Sequence, residues 1–469
     1  MRDPAAASAG AAAPPSGQPD AKGLVGDDAV VAVVSLYQKQ KKIYARAVSG
    51  LFATWRWSLV WFTQILFYGL PWLEWNQRQL VLFDLGARRF YIGPLVLYPQ
   101  DFIFLTGILI ISAYALFLFT AVAGRLWCGY ACPQTVYTEI FMWVERKIEG
   151  DRIARMRLDD GPWTLNKLWR KSAKQVAWIV MGLWTGLTFV GYFTPIKTLV
   201  ASAASLGLGP WEWFWVLFYG MATYGNAGFM REQVCKYMCP YARFQSAMFD
   251  KDTLIISYDT ERGEPRGSRS RKADPGKLGL GACIDVCDGV MDKMGYARGL
   301  VRYDTQNGLA QHLTPRQRLA RIFRPRVLVY TSILGIILLG FFIALAMRHP
   351  FKVDVVRDRA SLARLVDNGQ IENVFRLQIM NATEQPQHYR VAVQGLPGIT
   401  LEALPELALA PAEARWVTVS ARIPAEAAQQ AGAGAHAIQF QIGLLTTDAA
   451  GQPKTDLALS EKSTFVVPR

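Results

Sequence analysis

Two short stretches of the chain carry paired cysteines at a spacing suited to metal or redox chemistry. They read Cys128-Gly-Tyr-Ala-Cys132-Pro133 and Cys235-Lys-Tyr-Met-Cys239-Pro240, so both match the pattern C-x-Y-x-C-P. Side chains four residues apart on a helix lie on one face, so Cys128 and Cys132 can converge on one metal. Soft thiolate ligands select Cu(I), zinc or iron–sulfur clusters. A single pair of this kind is as often two buried thiols, but the repeat with a shared Tyr and Pro favours ligation.

The proline after the second cysteine of each motif predicts the local backbone. Proline disfavours helix at the residue before it and suits the first turn of a new helix. We therefore expect an apolar helix that ends at about Gly124, a tight turn that carries the thiols, and a new helix that starts at Pro133. Helix N-termini carry partial positive charge, which favours thiolates.

All six cysteines of the chain fall in three such pairs, and the third pair lacks the Tyr and the Pro, which makes it the weaker signal. The chain has four histidines, none of them inside an apolar run, so a bis-histidine haem between membrane helices is disfavoured. The predicted metal ligands are Cys128, Cys132, Cys235 and Cys239, and in second place Cys283 and Cys287.

Five long apolar runs must position these motifs. The composition is 51% hydrophobic and 12% aromatic, which indicates a membrane protein rather than a globular enzyme. A membrane span needs about 20 predominantly apolar residues. The net charge is +14, but the Lys and Arg residues cluster beside the apolar runs, as membrane topology requires. Nucleic acid is therefore disfavoured as a partner, and a lipid bilayer is predicted instead. The runs cover residues 57–73, 102–124, 176–193, 211–229 and 327–347.

The distribution of basic residues predicts the orientation in the membrane. Lys and Arg are dense at 125–174 and 231–326 and sparse at 75–100 and 194–210. The positive-inside rule then places the N-terminus and both basic segments in the cytoplasm of a multi-pass bacterial inner-membrane protein, and five spans leave the C-terminal part in the periplasm. All six cysteines fall on the cytoplasmic side, where thiols stay reduced, so they are expected to be ligands or redox thiols rather than disulfides.

The last 120 or so residues change character and predict an all-β domain. Short stretches of alternating polar and apolar residues, such as 374–380 and 388–393, are separated by Pro, Gly and Asn. This pattern predicts an antiparallel sandwich of immunoglobulin-like type. The fold class is therefore a polytopic α-helical membrane protein with five transmembrane helices and a C-terminal all-β immunoglobulin-like sandwich. A small outer hairpin is predicted at 79–98.

The predicted organisation has five parts. The predicted parts are a largely disordered cytoplasmic tail (1–45), four transmembrane helices with the first thiol motif (46–230), a cytoplasmic segment with the second and third cysteine pairs (231–326), a fifth transmembrane helix (327–348) and the periplasmic domain (349–469). After the first motif, three glutamates, Glu139, Glu145 and Glu149, alternate with basic residues. We expect them either to lie along the membrane surface or to form a solvated helix face.

At 124–152, 219–248 and 290–296 the chain resembles the FixG/CcoG family of cytochrome oxidase accessory proteins. The resemblance runs from about residue 41 to the C-terminal sandwich. It implies a role in assembly of cbb-type cytochrome c oxidase, reduction of Cu(II) to Cu(I), and two 4Fe–4S clusters in a ferredoxin segment after the fourth span. Two such clusters need eight cysteines, and this segment has only Cys283 and Cys287. The ligand set for the implied 4Fe–4S clusters is therefore incomplete.

These observations favour a membrane redox or metal accessory protein that binds copper ion and reduces Cu(II) to Cu(I) at the cytoplasmic cysteine pairs. Its expected partner is cbb-type cytochrome c oxidase or an assembly factor of that enzyme. Two alternatives stay open: an iron–sulfur electron-transfer membrane subunit, and a non-catalytic assembly scaffold. The sequence names no electron donor, oligomeric state or catalytic residue.

Overall fold

The structure is a computed structural model that describes residues 44–45, 47–259, 261, 282–358, 363–366, 369–402, 406–447 and 453–468. Apart from 44 and 45, the predicted N-terminal tail lies outside the described residues. The α-helices are α1 (Leu51–Gly69), α2 (Phe102–Ala123), α3 (Leu126–Tyr130), α4 (Pro133–Glu149), α5 (Arg152–Asp160), α6 (Leu165–Val190), α7 (Ile196–Ala204), α8 (Pro210–Thr223), α9 (Pro240–Met248), α10 (Ala282–Met294), α11 (Gln306–Ala310), α12 (Pro315–Ala320), α13 (Pro325–Ala346) and α14 (Ala425–Ala431). Two π-helices cover Tyr224–Met230 and Val234–Met238, and 3₁₀ turns cover Leu70–Trp72, Pro99–Asp101 and Arg321–Phe323.

Three helical segments among the described residues are long and apolar enough to cross a membrane. They are Pro99–Ala123, Leu165–Val190 and Pro325–Ala346. The five predicted spans are therefore not confirmed as a set. The predicted run 57–73 lies largely in α1, which has 19 residues but too many Trp, Thr and Gln for a strongly apolar span. The predicted run 211–229 forms only 14 residues of α-helix in α8 before the chain changes to a π-helix.

Helices α6 and α8 pack closely because α6 presents two glycines to α8. A Cβ on Gly182 would lie 2.7 Å from the carbonyl oxygen of Gly220, and one on Gly186 would collide with the carbonyl of Val216. Glycines four residues apart let two helix backbones approach in this way. The α6 segment is also the most buried of the three candidate spans. In its most apolar stretch 39% of the residues are buried, against 6% in each of the other two. Helix α6 is therefore the centre of the helical part.

The strands are β1 (Glu74–Trp75), β2 (Arg78–Gln79), β3 (Val81–Asp84), β4 (Arg89–Ile92), β5 (Leu95–Leu97), β6 (Ile255–Tyr258), β7 (Val301–Asp304), β8 (Phe351–Arg357), β9 (Arg364–Val366), β10 (Gln370–Asn381), β11 (Gln387–Gln394), β12 (Thr400–Leu401), β13 (Leu407–Leu409), β14 (Ala414–Ile423), β15 (Gly434–Thr447) and β16 (Pro453–Val467). The pairs β1–β2 and β6–β7 form two small antiparallel ladders.

The C-terminal domain is the predicted antiparallel sandwich. One sheet has the order β12-β14-β10-β8, with β9 also paired to β10, and the other has the order β13-β11-β15-β16. Alternate residues of the two sheets meet in one apolar core, in which Phe375 and Phe440 pack edge to face with ring centroids 4.9 Å apart. The core contains no disulfide because the chain has no cysteine after Cys287.

The predicted outer hairpin is a three-stranded antiparallel sheet, β3-β4-β5, and it packs against the sandwich. Leu82 and Val96 from this sheet share a buried apolar cluster with Met380 of the sandwich. The hydroxyl of Tyr98 donates to the carbonyl oxygens of Asn381 (3.0 Å) and Ala412 (3.2 Å). The sequence predicted the strands of this sheet but gave no sign of its docking surface.

A buried ion pair fixes the sandwich to the start of α2. Arg348, which follows α13, donates to both carboxylate oxygens of Asp101, at 2.7 and 3.3 Å, and Lys352 of β8 lies 3.1 Å from the same carboxylate. The Asp101 side chain is 1% exposed and that of Arg348 is 8% exposed. The 22 residues of α2 make it about 33 Å long. The first cysteine motif follows the far end of α2, so the sandwich and this motif lie at opposite ends of one helix.

The substitution Asp101→Asn should destabilise the protein by about 3–5 kcal/mol, because it leaves two cations without their buried partner. We expect a lower melting temperature in detergent and faster proteolysis between α13 and β8. The matched control is Asp354→Asn at the same junction, where the carboxylate accepts an exposed hydrogen bond from Gln100. Exposed contacts of this kind contribute about 0–1 kcal/mol. Equal melting temperatures for the two variants would contradict this role of Asp101.

Candidate metal centre

The first cysteine motif forms a tight turn between two helices, as its sequence predicts. Helix α2 ends at Ala123, and Gly124 adopts a positive φ of 53°, where its backbone lies against the carbonyl of Leu254. Cys128 lies in the short helix α3. Cys132 is the N-cap residue of α4, and Pro133 occupies the first helical position. The second thiol of the motif therefore lies at a helix N-terminus.

The second motif also ends at a helix N-terminus, but the backbone before it has a different conformation. Cys239 is the N-cap residue of α9, and Pro240 occupies the first helical position. Cys235, however, lies in a π-helix, in which the amide of Cys239 donates to the carbonyl of Val234 at 2.9 Å. Hydrogen bonds in a π-helix run between residues five apart, so the two thiols do not stack as they would on an α-helix. The sequence did not predict this π-helical turn before Cys239.

The structure brings the four thiols of the two motifs together. Burial raises the pKa of Cys128 to about 11, the hydrogen bond from Gln245 acts in the opposite direction, and the nearby thiols of Cys132, Cys235 and Cys239 raise it further. Burial also raises the pKa of Cys235, with added contributions from Cys132 and Cys239. Gln245, on the helix that Cys239 caps, lies 3.6 Å from the sulfur of Cys128, so the two motifs form one cluster. None of the four is joined in a disulfide.

The cluster suits a polynuclear group better than one ion. Among the described residues, no three His, Cys, Asp or Glu side chains are placed to ligate a single ion. A 4Fe–4S cluster binds four cysteines, one on each iron, so its ligand sulfurs lie farther apart than those around one ion. Two of the four cysteines are helix N-caps, where the helix dipole favours a negatively charged ligand. The donor set therefore fits an iron–sulfur cluster.

Two glutamines tie the motifs to each other. The amide nitrogen of Gln134, next to Pro133, donates to the carbonyls of Asn226 (2.9 Å) and Arg231 (3.0 Å), just before the second motif. The amide nitrogen of Gln245 on α9 donates to the carbonyl of Gly124 (3.1 Å), just before the first motif. The sequence analysis missed both residues. Their position within one or two turns of a Cys-Pro helix start is the signal that could have identified them.

The glutamates after the first motif lie in a buried charge network rather than on a surface. The Glu145 side chain is 1% exposed and pairs with Arg155 at 2.8 Å and Arg231 at 2.9 Å. Glu149 pairs with Lys174 of α6 at 2.9 Å. Burial by itself would raise the pKa of Glu145, but the hydrogen bond from Arg231 and the charges of Arg231, Arg155 and Lys174 together outweigh it, so the pKa is lowered. Both predicted readings of this segment, a membrane-surface face and a solvated face, are therefore wrong for Glu145 and Glu149.

The third cysteine pair lies on α10, which packs against α1. Asp285, between Cys283 and Cys287, accepts hydrogen bonds from the first backbone amides of α1, at 2.8 Å from Ala53. Burial raises the pKa of Cys283, and the charge of Arg56 on α1 opposes that shift. The charged group that acts on Cys283 therefore belongs to α1 rather than to the Cys-Pro turns.

Three family models match separate parts of the chain: the C-terminal sandwich and the segments that contain the two Cys-Pro motifs. A family model described as "IG-like fold at C-terminal of FixG, putative oxidoreductase" matches residues 341–468. A 4Fe–4S binding domain matches 105–150, which contains Cys128 and Cys132. A 4Fe–4S dicluster domain matches 230–278, which contains Cys235 and Cys239. Two ferredoxin-type clusters would need eight cysteines, and the chain has six.

Two curated relatives match most of the chain. The nitrogen fixation protein FixG of Rhizobium meliloti is 34% identical over 427 residues, which is 78% of this chain and 82% of that protein. Protein RdxA of Cereibacter sphaeroides is 35% identical over 398 residues, which is 78% of this chain and 84% of that protein. Among solved structures, a FixG-related protein from Vibrio parahaemolyticus covers 25% of this chain and 97% of its own, with 24% identity and a TM-score of 0.21.

The substitution Glu145→Gln should destabilise the protein by about 3–5 kcal/mol, because it leaves buried cations without their anion. The matched control is Glu139→Gln on the same helix, whose carboxylate lies 3.6 Å from Arg56 in a more exposed position. The lowered pKa of Glu145 means that its stabilisation is present above the ordinary carboxyl pKa and is lost as pH falls through the lower folded value. The difference in melting temperature between wild type and Glu145→Gln should therefore shrink in acid. A difference that stays constant down to the acid limit of the fold would exclude this assignment.

Proposed function

The chain belongs to the FixG family, and from this premise we propose that it is a membrane oxidoreductase whose redox centre is a single iron–sulfur cluster held by two cysteine motifs. The proposed ligands are Cys128, Cys132, Cys235 and Cys239. The observation that carries the proposal is that the two motifs meet: Gln245, on the helix that Cys239 caps, lies 3.1 Å from the carbonyl oxygen of Gly124 and 3.6 Å from the sulfur of Cys128. Bound there, the cluster would supply one-electron transfer.

The protein's own residues have three tasks in this proposal. Cys132 and Cys239 are the N-cap residues of α4 and α9, so two of the four proposed ligands lie at the starts of helices. The buried charges around Glu145 hold the backbone before the second motif, because Arg231 belongs to that backbone and pairs with this carboxylate at 2.9 Å. Gln134 and Gln245 hold the two motifs together through hydrogen bonds to the backbone of the opposite motif.

The proposed electron acceptor is Cu(II), which takes one electron and becomes Cu(I) for assembly of cbb-type cytochrome c oxidase. Thiolates are soft ligands that stabilise Cu(I), and the third pair, Cys283 and Cys287, offers two of them outside the two Cys-Pro turns. Copper is the substrate in this proposal and binds only transiently. The partner is the oxidase or one of its assembly factors.

We propose further that α1 and α8 complete five membrane spans. Both helices expose large apolar side chains, among them Phe62 and Ile65 on α1 and Phe218 and Met221 on α8. Exposed apolar surface of this extent is suited to lipid rather than water. The length of α2, about 33 Å, matches the hydrocarbon thickness of about 30 Å. The thiol cluster and the sandwich then lie on opposite sides of the inner membrane, with the thiols and the N-terminus in the cytoplasm and the sandwich in the periplasm.

Metal analysis of anaerobically purified protein tests the proposed centre. We expect iron and acid-labile sulfide in equal amounts, lost in Cys128→Ser and in Cys239→Ser. The matched control is Cys283→Ser, which should keep the wild-type content because this thiol lies on α10 beside α1. Copper without iron would support copper delivery instead, and absence of both metals would support the scaffold alternative. Either result would overturn the proposed cluster.

Copper reduction has its own test. Protein reduced with dithionite and then desalted should convert Cu(II) to Cu(I), detected with a chelator specific for Cu(I). The double variant Cys283→Ser/Cys287→Ser should form Cu(I) at least tenfold more slowly while keeping wild-type iron. The same rate in both proteins would exclude the third pair as the copper-binding site, and no Cu(I) from the wild type would exclude Cu(II) as the acceptor.

A further inference from the structure

The side chain of Gln245 lies between the two cysteine motifs and is 2% exposed. It belongs to α9, the helix that begins at the second motif, and it reaches the turn of the first motif. Its amide nitrogen lies 3.1 Å from the carbonyl oxygen of Gly124 and 3.6 Å from the sulfur of Cys128. The hydroxyl of Tyr241 lies at 3.5 Å from the same nitrogen. Gln245 is thus a buried polar group in contact with a ligand sulfur.

The orientation of this amide is fixed by its surroundings. The carbonyl of Gly124 can only accept a hydrogen bond, so the nitrogen of Gln245 and not its oxygen must face that carbonyl. The amide group has two hydrogens, and the second faces the sulfur of Cys128 at 3.6 Å and the hydroxyl of Tyr241 at 3.5 Å. While Cys128 is a thiol, its own hydrogen can point to the amide oxygen at 3.9 Å. Once a metal has replaced that hydrogen, only the N–H to sulfur contact remains.

We infer that Gln245 is a positioning residue that donates an N–H···S hydrogen bond to the metal-bound Cys128 and thereby raises the reduction potential of the centre. The inference rests on the proposed cluster. Reduction adds negative charge to a cluster and its sulfurs, and a hydrogen-bond donor stabilises the more negative state more strongly. Hydrogen bonds to the sulfurs are among the factors that set the potentials of iron–sulfur clusters.

The chain contains a matched control for this inference. Gln134 is also a glutamine in the first turns of a helix after Cys-Pro, and it also joins the two motifs. Its hydrogen bonds, however, go to the backbone carbonyls of Asn226 and Arg231 and to the hydroxyl of Thr138. Loss of Gln134 removes a cross-link of the same kind without removing a hydrogen bond to sulfur. A difference between the two variants therefore separates an effect on the cluster from an effect on packing.

The experiment compares Gln245→Leu and Gln134→Leu with the wild type as full-length protein in detergent. Iron and sulfide are measured first, and the reduction potential of the loaded protein is then measured by electron paramagnetic resonance during an anaerobic titration. Gln245→Leu should have a more negative potential by at least a tenfold change in the reduction equilibrium, which is about 59 mV for one electron. Gln134→Leu should load less iron, because it removes one of the two contacts between the motifs, but the protein that does load should keep the wild-type potential.

A loaded Gln245→Leu protein with the wild-type potential would overturn the inference and leave the proposed cluster intact, whereas a wild type without iron would overturn both. An equal shift in Gln134→Leu would also overturn it, because packing alone would then explain the change. If Gln245→Leu does not bind iron, wild-type protein labelled with ¹⁵N in its glutamine side chains tests the hydrogen bond instead. A hyperfine coupling between ¹⁵N and the reduced centre supports the hydrogen bond, and the absence of coupling contradicts it.

Discussion

Two glutamine side chains hold the two Cys-Pro turns against each other, and the rest of the site depends on that contact. Gln134 starts from the helix after the first motif and bonds the backbone before the second, and Gln245 does the reverse. Each amide satisfies backbone carbonyls at places where regular hydrogen bonding is interrupted, at the end of α2 and in the π-helical stretch after α8. Because a buried carbonyl without a partner costs free energy, these bonds favour one relative placement of the motifs.

The buried charges also stabilise this placement of the two cysteine motifs relative to each other. Glu145 of α4 pairs with Arg155 of α5, with Arg231 and, at 3.8 Å, with Lys174 of α6, so one carboxylate joins four parts of the chain. Buried ion pairs contribute little net stability, because removing the charges from water costs about as much as their attraction returns. Their effect here is to select one arrangement, since any other leaves a charge buried without its partner. The close approach of α6 and α8 at Gly182 and Gly186 completes this frame.

The sequence predicted the features that depend on local chemistry. Pro133 and Pro240 identified the helix starts at Cys132 and Cys239, because proline restricts the residue before it and lacks an amide hydrogen. The alternating pattern predicted the sandwich because strands of period two bury one face. The π-helix at Cys235 was not predictable, since i to i+5 hydrogen bonding leaves no distinct pattern of residue types. The burial of Glu145 was missed because its partners Arg155 and Arg231 lie on other elements, and only the tertiary fold brings them together.

The central claim is that four cysteines from two separate motifs share one centre. Alkylation of the native protein under anaerobic conditions, followed by mass spectrometry of its peptides before and after removal of iron, tests this claim most directly. The account predicts that Cys128, Cys132, Cys235 and Cys239 are protected together in the loaded protein and become reactive together once the iron is removed. Protection of one pair while the other reacts freely in the loaded protein would contradict it.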